Sequence, residues 1–108
     1  KTVHVLQELR ETYEKVRVQD QSKAFNTDLL EILELGNLLD LALISAESAR
    51  NRKESRGAHS REDFPDRDDE NWLKHTLAHP AGPDEPPVLR YKPVNIDWEK
   101  YPPQERKY

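Results

Sequence analysis

His75 and His79 stand four residues apart, the spacing at which a helix turns two imidazoles toward one metal ion. Further ligands would have to come from His59 or from Asp63, Asp66, Asp68 and Asp69. The same spacing puts two side chains on one face of a strand with no metal involved, and we read the pair that way. The aspartates suggest a second chemistry, a paired general acid and base. Such work needs surroundings that drive two carboxyl pKa values apart. Here every carboxylate has an arginine close in sequence, which favours ordinary ionised groups, and no glycine stands at the centre of a calcium loop. Arg56, Arg61 and Arg67 offer a third chemistry, because a guanidinium presents a planar fork to carboxylate or phosphate. Alternatively they pair with Glu54, Asp63 and Asp66 and fix the loop. Surface ion pairs contribute only about 0–1 kcal/mol each. So many charges are weakly ordered against water, but they can specify orientation against another protein. We read Arg56, Gly57, His59, Arg61, Asp63, Arg67, Asp68 and Asp69 as a docking surface, and assign no catalytic, cofactor-binding or metal-binding residue.

These residues must be positioned by the elements around them. Val5, Leu6, Leu9, Tyr13 and Val16 recur at helical spacing, so residues 1–18 are expected to form an amphipathic helix. A polar loop, 19–26, follows. Residues 27–53 are expected to form a long helix, with Asn26, Thr27 and Asp28 all suited to its N-cap and Asp28 with Glu31 at capping-box spacing. The run from Leu29 to Ile44 is apolar on most sides, which predicts neighbours on several sides. Each fully buried Leu or Ile is worth about 1.5–3 kcal/mol. Gly36, at mid-helix, suggests close approach of a second helix. Gly57 is expected to end the long helix as its C′ residue, with Arg50, Arg52 and Lys53 near the negative end of the dipole. Asp68 to Trp72 suits a short helical turn. Leu73–His79 and Val88–Pro93 flank the turn-rich segment Pro80-Ala-Gly-Pro-Asp-Glu-Pro-Pro, the pattern of a β-hairpin with a long loop. Residues 94–108 are Pro-rich and poor in apolar positions, so this tail drapes over another surface or stays mobile. The expected class is mostly α, divided into a helical part, 1–72, and a hairpin with an extended tail, 73–108.

Composition narrows the functions further. The 108 residues are 34% hydrophobic and 35% charged, against roughly 45–50% apolar and about 25% charged in an ordinary globular chain. Any core must therefore be local. Lys plus Arg number 17 and Asp plus Glu 21, a net charge of −4, which argues against nucleic acid as a partner. The lack of Cys excludes disulfide scaffolds, thiolate zinc sites and thiol catalysis. No apolar run approaches the roughly 18–20 residues of a membrane span. Gly36, Gly57 and Gly82 are too dispersed for a phosphate-cradling loop. The lack of any Met points to a piece of a longer chain.

The stretch Asn51–Leu77, which includes Glu54-Ser-Arg-Gly-Ala-His and Asp68-Asp-Glu-Asn-Trp-Leu-Lys-His-Thr-Leu77, closely resembles the C-terminal domain of succinate dehydrogenase and fumarate reductase flavoprotein subunits. Phe25-Asn-Thr-Asp-Leu-Leu and Glu34-Leu-Gly-Asn-Leu-Leu look like the start and middle of that domain's long helix. Tyr101-Pro-Pro-Gln-Glu-Arg-Lys-Tyr108 looks like the ending of such subunits. The resemblance covers almost the whole chain. It implies a spectrin-repeat-like bundle of about three helices, with a β-hairpin and an extended tail. It also implies a parent enzyme that oxidises succinate to fumarate, passing hydride to FAD and electrons through an iron-sulfur subunit to quinone. The family's substrate and flavin residues lie in earlier domains, so none maps here, and no cofactor is expected in this stretch.

The implied partners are the flavin-binding domain of the same parent chain and the iron-sulfur subunit, and the uncovered long helix adds self-association of the isolated piece. The implied location is peripheral, on the cytoplasmic face of the inner membrane of a bacterial parent. Fumarate reductases share the motif, L-aspartate oxidases share only the Glu-Ser-Arg-Gly-x-His element, and ending at Tyr108 favours the dehydrogenase. A free-standing interaction module is the reading from another class.

Overall fold

A computed structural model describes residues 1–19, 21–82 and 85–104. The sequence expectations for Asp20, for Pro83 and Asp84 in the turn-rich segment and for residues 105–108 of the ending lie outside the described residues. Three helices and a two-stranded antiparallel sheet follow in the order α1 (Thr2–Tyr13), α2 (Thr27–Asn51), α3 (Asp69–Trp72), β1 (Lys74–His79) and β2 (Val88–Pro93). The chain divides into two compact units, Lys1–Glu47 and Ser48–Tyr108.

In the first unit α1 and α2 run antiparallel, because Tyr13 meets Ile32 while Arg10 meets Asp40. The Tyr13 hydroxyl donates to the Ile32 carbonyl at 2.9 Å, and Arg10 Nε donates to Asp40 Oδ1 at 3.1 Å. The close approach expected at Gly36 is made by Tyr13. A Cβ on Gly36 would lie 2.6 Å from the Tyr13 hydroxyl oxygen. α1 is shorter than expected and stops at Tyr13. Lys15 and Val16 donate to the carbonyls three residues back, and the stiff β-branched Val16 and Val18 do not extend the spiral. Of the three N-cap candidates for α2, Asn26 takes the role, accepting from the Leu29 N–H at 3.0 Å, while the Asp28 carboxylate accepts from the Gln19 N–H at 2.7 Å. Phe25, just before the cap, has φ 50 and a fully exposed ring.

α1 covers the side of α2 that carries Ile32, Gly36 and Leu39. At 100° per residue Leu30, Leu38 and Leu41 fall on the opposite side and Leu33 about a quarter-turn away, and all four are more than half exposed. Among the described residues, the expectation of several neighbours is thus met on one side of α2 and unmet at Leu30, Leu33, Leu38 and Leu41.

The second unit starts with the last turn of α2, Ser48–Asn51. The helix ends two residues earlier than expected, and Gly57 does not terminate it. Gly57 instead lies in the turn of a bridge in which Arg56 and His59 exchange N–H···O bonds of 2.8 and 3.0 Å. Its φ of +58 places a glycine at the first central position, as a type II′ turn requires. Asp68 caps α3 by accepting from the Asn71 N–H at 3.0 Å. The hairpin pairs Lys74 with Pro93 through to His79 with Val88. After β2, the Asp97 carboxylate accepts from the Lys100 N–H at 3.0 Å, closing a turn in residues 97–101.

Candidate functional site

The charged loop folds around one carboxylate. Glu54 has no exposed surface, yet it stands three residues past the end of α2 and looks like a solvent residue in the sequence. Arg52 Nη1 donates to its Oε1 at 2.5 Å, and Arg56 Nε donates to the same oxygen at 2.9 Å. Arg56 Nη2 reaches Oε2 at 3.1 Å, and the Asp68 N–H donates to Oε2 at 2.9 Å. Four donors therefore satisfy the two oxygens, as a buried carboxylate requires. Burial pushes the Glu54 carboxyl up. The Arg56 hydrogen bonds, the Asp68 N–H and Arg52 together outweigh burial and hold it below the usual carboxylate value.

Each arginine at this centre also ties down a second part of the unit. Arg52 Nη1 donates to the Trp72 carbonyl at 2.9 Å, and Nη2 donates to the Lys74 carbonyl at 2.7 Å and to Thr76 Oγ1 at 3.2 Å. Its guanidinium stacks 5.2 Å from the Trp72 ring centroid. Trp72 meets Tyr91 edge to face at 5.8 Å, Lys74 Nζ sits 4.2 Å from the Tyr91 centroid, and the Asn51 side-chain amide donates to the Tyr91 hydroxyl. One residue thus joins the helix end, α3 and the hairpin. Arg56 Nη2 donates to Asp69 Oδ1 at 2.5 Å, and the hydrogen bond to Glu54 is the main reason its pKa is raised. Arg67 takes the other Asp69 oxygen at 3.0 Å and donates to the Gln104 carbonyl at 2.6 Å, which pins the tail.

Arg61 does what the sequence assigned to Arg50, Arg52 and Lys53. Its Nη1 donates to the carbonyls of Arg50 at 2.6 Å and Arg52 at 3.0 Å, at the negative end of α2. Its Nε and Nη2 grip both oxygens of Asp63 at 2.9 and 2.6 Å. That fork is the first cause lowering the Asp63 pKa and raising that of Arg61. Ser55 completes the loop. Its hydroxyl donates to the Phe64 carbonyl at 2.7 Å and accepts from the Arg61 N–H at 2.9 Å.

The structure therefore gathers Arg56, Asp68 and Asp69 around Glu54, with Arg67 next to them. Arg61 and Asp63 form a neighbouring pair, and Gly57 and His59 form the turn between these two groups. His59 Nε2 lies 3.4 Å from the Arg52 carbonyl. The pairings Arg56 with Glu54 and Arg61 with Asp63 are present, whereas Arg67 pairs with Asp69 and not with Asp66. Sequence reasoning gave Arg52 only a place near the helix dipole, assigned Ser55 no role and gave Glu54 only a minor part. The one available signal was the i±2 flanking of Glu54 by Arg52 and Arg56.

His75 and His79 lie on β1, exposed and on one face, as the strand reading required. Among the described residues no three His, Asp or Glu side chains assemble a metal site. No buried side-chain nitrogen or oxygen there lacks a partner. Arg52, Arg56, Arg61 and Arg67 are all committed to carboxylates and carbonyls, so these residues do not fit the pyrophosphate of a dinucleotide such as FAD. No described helix is long and apolar enough to cross a membrane.

This arrangement sits in a chain that matches, over residues 1–108, the family described as fumarate reductase flavoprotein C-term. The chain is 52% identical over 94 residues to the succinate dehydrogenase flavoprotein subunit of Rickettsia conorii, covering 85% of this chain and 15% of that protein. It is 51% identical over 110 residues to the fumarate reductase flavoprotein subunit of Serratia sp., covering 100% of this chain and 18% of that one. Among solved structures it is similar to a mutant FrdA of E. coli quinol fumarate reductase, with TM-score 0.83 and 46% identity over 95% of this chain and 17% of that one. The chain spans less than a fifth of the length of these relatives. With sequence, fold and coverage in agreement, the chain belongs to the C-terminal family shared by succinate dehydrogenase and fumarate reductase flavoprotein subunits.

Proposed function

We propose that this chain is the docking domain of an FAD-dependent succinate:quinone oxidoreductase, and that it carries none of the catalytic groups itself. The observation that supports this reading is the match of the whole chain to less than a fifth of flavoprotein subunits. In this reading the parent oxidises succinate to fumarate and passes electrons through FAD and iron-sulfur centres to quinone. FAD is held by the rest of the parent chain. The reverse reaction is the second reading, favoured by fumarate reductase relatives that match as well as the dehydrogenase ones.

The exposed leucines of α2 pack against further parts of the parent and complete a spectrin-repeat-like bundle. The surface formed by Arg56, Gly57, His59, Arg61, Asp63, Arg67, Asp68 and Asp69 orients the flavin-binding domain and the iron-sulfur subunit. The complex sits peripherally, on the cytoplasmic face of the inner membrane of a bacterial parent.

The test is charge reversal at Arg67 in the full-length subunit. Arg67→Glu is expected to lower recovery of the iron-sulfur subunit and the fraction of subunit carrying flavin. Hydrogen exchange at the Asp68 amide, bonded to Glu54, separates docking from unfolding. Full assembly, flavin content and activity in both Arg67→Glu and Arg61→Glu would overturn the docking role.

A further inference from the structure

The hairpin register divides its side chains between two faces. One face, with Lys74, Thr76 and Tyr91, turns toward Arg52 and Trp72. The other sets His75 opposite Lys92, Leu77 opposite Arg90 and His79 opposite Val88, and all six residues are exposed. Neither strand contains an Asp or a Glu. Among the described residues, the side chains of His75, His79, Arg90 and Lys92 make no hydrogen bond or ion pair. Glu54, Asp63 and Asp69 are meanwhile committed to arginines, and Asp68 to Asn71. In a chain of net charge −4, this is a compact, acid-free basic face built around two apolar side chains.

We propose that this face docks an acidic segment of a separate polypeptide, with carboxylates against Arg90 and Lys92 and an apolar side chain over Leu77 and Val88. The surface lies outside the Arg56–Asp69 loop, and its role is independent of the one proposed for that loop. Charge complementarity selects an acidic partner. The flat, paired strands offer alternate side chains that a segment lying across them reads together. Two firmly charged residues fall short of the roughly 4–8 Lys/Arg of an anionic-lipid site and of the extended footprint that nucleic acid needs. A separate polypeptide is favoured because unpaired surface charge steers a partner that arrives by diffusion, an advantage a covalently attached domain does not need.

The test uses the native complex containing the full-length polypeptide. A zero-length carbodiimide joins a lysine amine directly to a carboxylate, and peptide mass spectrometry locates the bond. The expected product links Lys92 to an Asp or Glu of a different polypeptide, and it disappears in Lys92→Arg. The double reversal Arg90→Glu with Lys92→Glu is expected to weaken retention of that polypeptide about tenfold, the scale of two reversed surface pairs. Arg90→Lys with Lys92→Arg is expected to retain it. A bond from Lys92 to a carboxylate of its own polypeptide overturns the proposal. So does a Lys92 that stays unlinked and freely acetylated in the intact complex. Binding to phosphatidylserine vesicles that is lost in the double reversal would assign the face to a membrane and also overturn it. The cross-link decides the matter even where the double reversal fails to fold.

Discussion

Among the described residues, the buried apolar side chains of the first unit are Val3 and Leu39, whereas the most deeply buried side chain of the second is the carboxylate of Glu54. The first has the apolar sequence and leaves much of it in water. The second has the charged sequence and satisfies its central carboxylates, Glu54, Asp63, Asp68 and Asp69, internally. A polar cluster can close on itself within a short stretch, because each hydrogen bond needs only one partner. An apolar helix face needs area, and one 12-residue helix does not supply enough. Self-sufficiency here follows the count of satisfied groups and not hydrophobicity.

The sharpest way to break this contrast is Glu54→Ala, which leaves Arg52 and Arg56 without their buried anion and should cost about 3–5 kcal/mol. Trp72 and Trp98 both lie in the second unit, so near-UV dichroism during urea unfolding reports it selectively. A loss under 1 kcal/mol would mean that the cluster is ornament on a fold held by other contacts.

Acid should act on the same unit. Glu54, Asp63 and Asp68 have pKa values lowered by folding, through the Arg56, Arg61 and Asn71 hydrogen bonds respectively, with burial opposing at Glu54. Their contribution is complete above the ordinary carboxylate range, about 4. It is lost as pH falls through the lowered folded values. The tryptophan signal should therefore hold from neutral pH down to about 4 and fall below it. A loss of signal at pH 5–6 would contradict this assignment.

In the first unit, Gly36→Ala adds a methyl against the Tyr13 hydroxyl. Overpacking of about 1–3 kcal/mol, less the 0.5–1 kcal/mol that Ala gains over Gly in a helix, leaves a net loss of about 1 kcal/mol. Faster amide exchange confined to α1 is the expected signature. The smallest stability effect belongs to Leu38→Ser, within about 0.5 kcal/mol because the side chain is already exposed. Its effect should appear instead in association. Light scattering of the isolated chain should show concentration-dependent self-association that Leu38→Ser reduces.

The elements were largely legible in the sequence. The i, i+3, i+4 repeat of Val5, Leu6, Leu9 and Tyr13 marks α1, and the Leu-rich run marks α2. β2 occupies Val88–Pro93 as expected, and β1 starts one residue later than the expected Leu73. Boundaries were less legible, since Gly57 suits a helix end and a II′ turn equally and only long-range contacts choose between them. The site was half legible. Arginines and aspartates can be chosen by type, but burial of Glu54 depends on donors as far away as Asp68, fourteen positions along the chain. Likewise Arg61 reaches the α2 carbonyls from eleven positions beyond Arg50, and no helix-capping pattern looks that far.

The separations that bind this cluster are nevertheless modest. Glu54 to Asp68 spans 14 residues, Arg56 to Asp69 spans 13, and Arg52 to Lys74 spans 22. Loops of about ten residues close in roughly 10–100 ns. Contacts this local pay little closure entropy, and topologies made of them fold quickly. The charged loop can therefore assemble as soon as its own stretch of chain is available. In a growing polypeptide the cluster can close once Lys74 has been made, so its order of assembly is already set by where Glu54 and Arg52 find their partners.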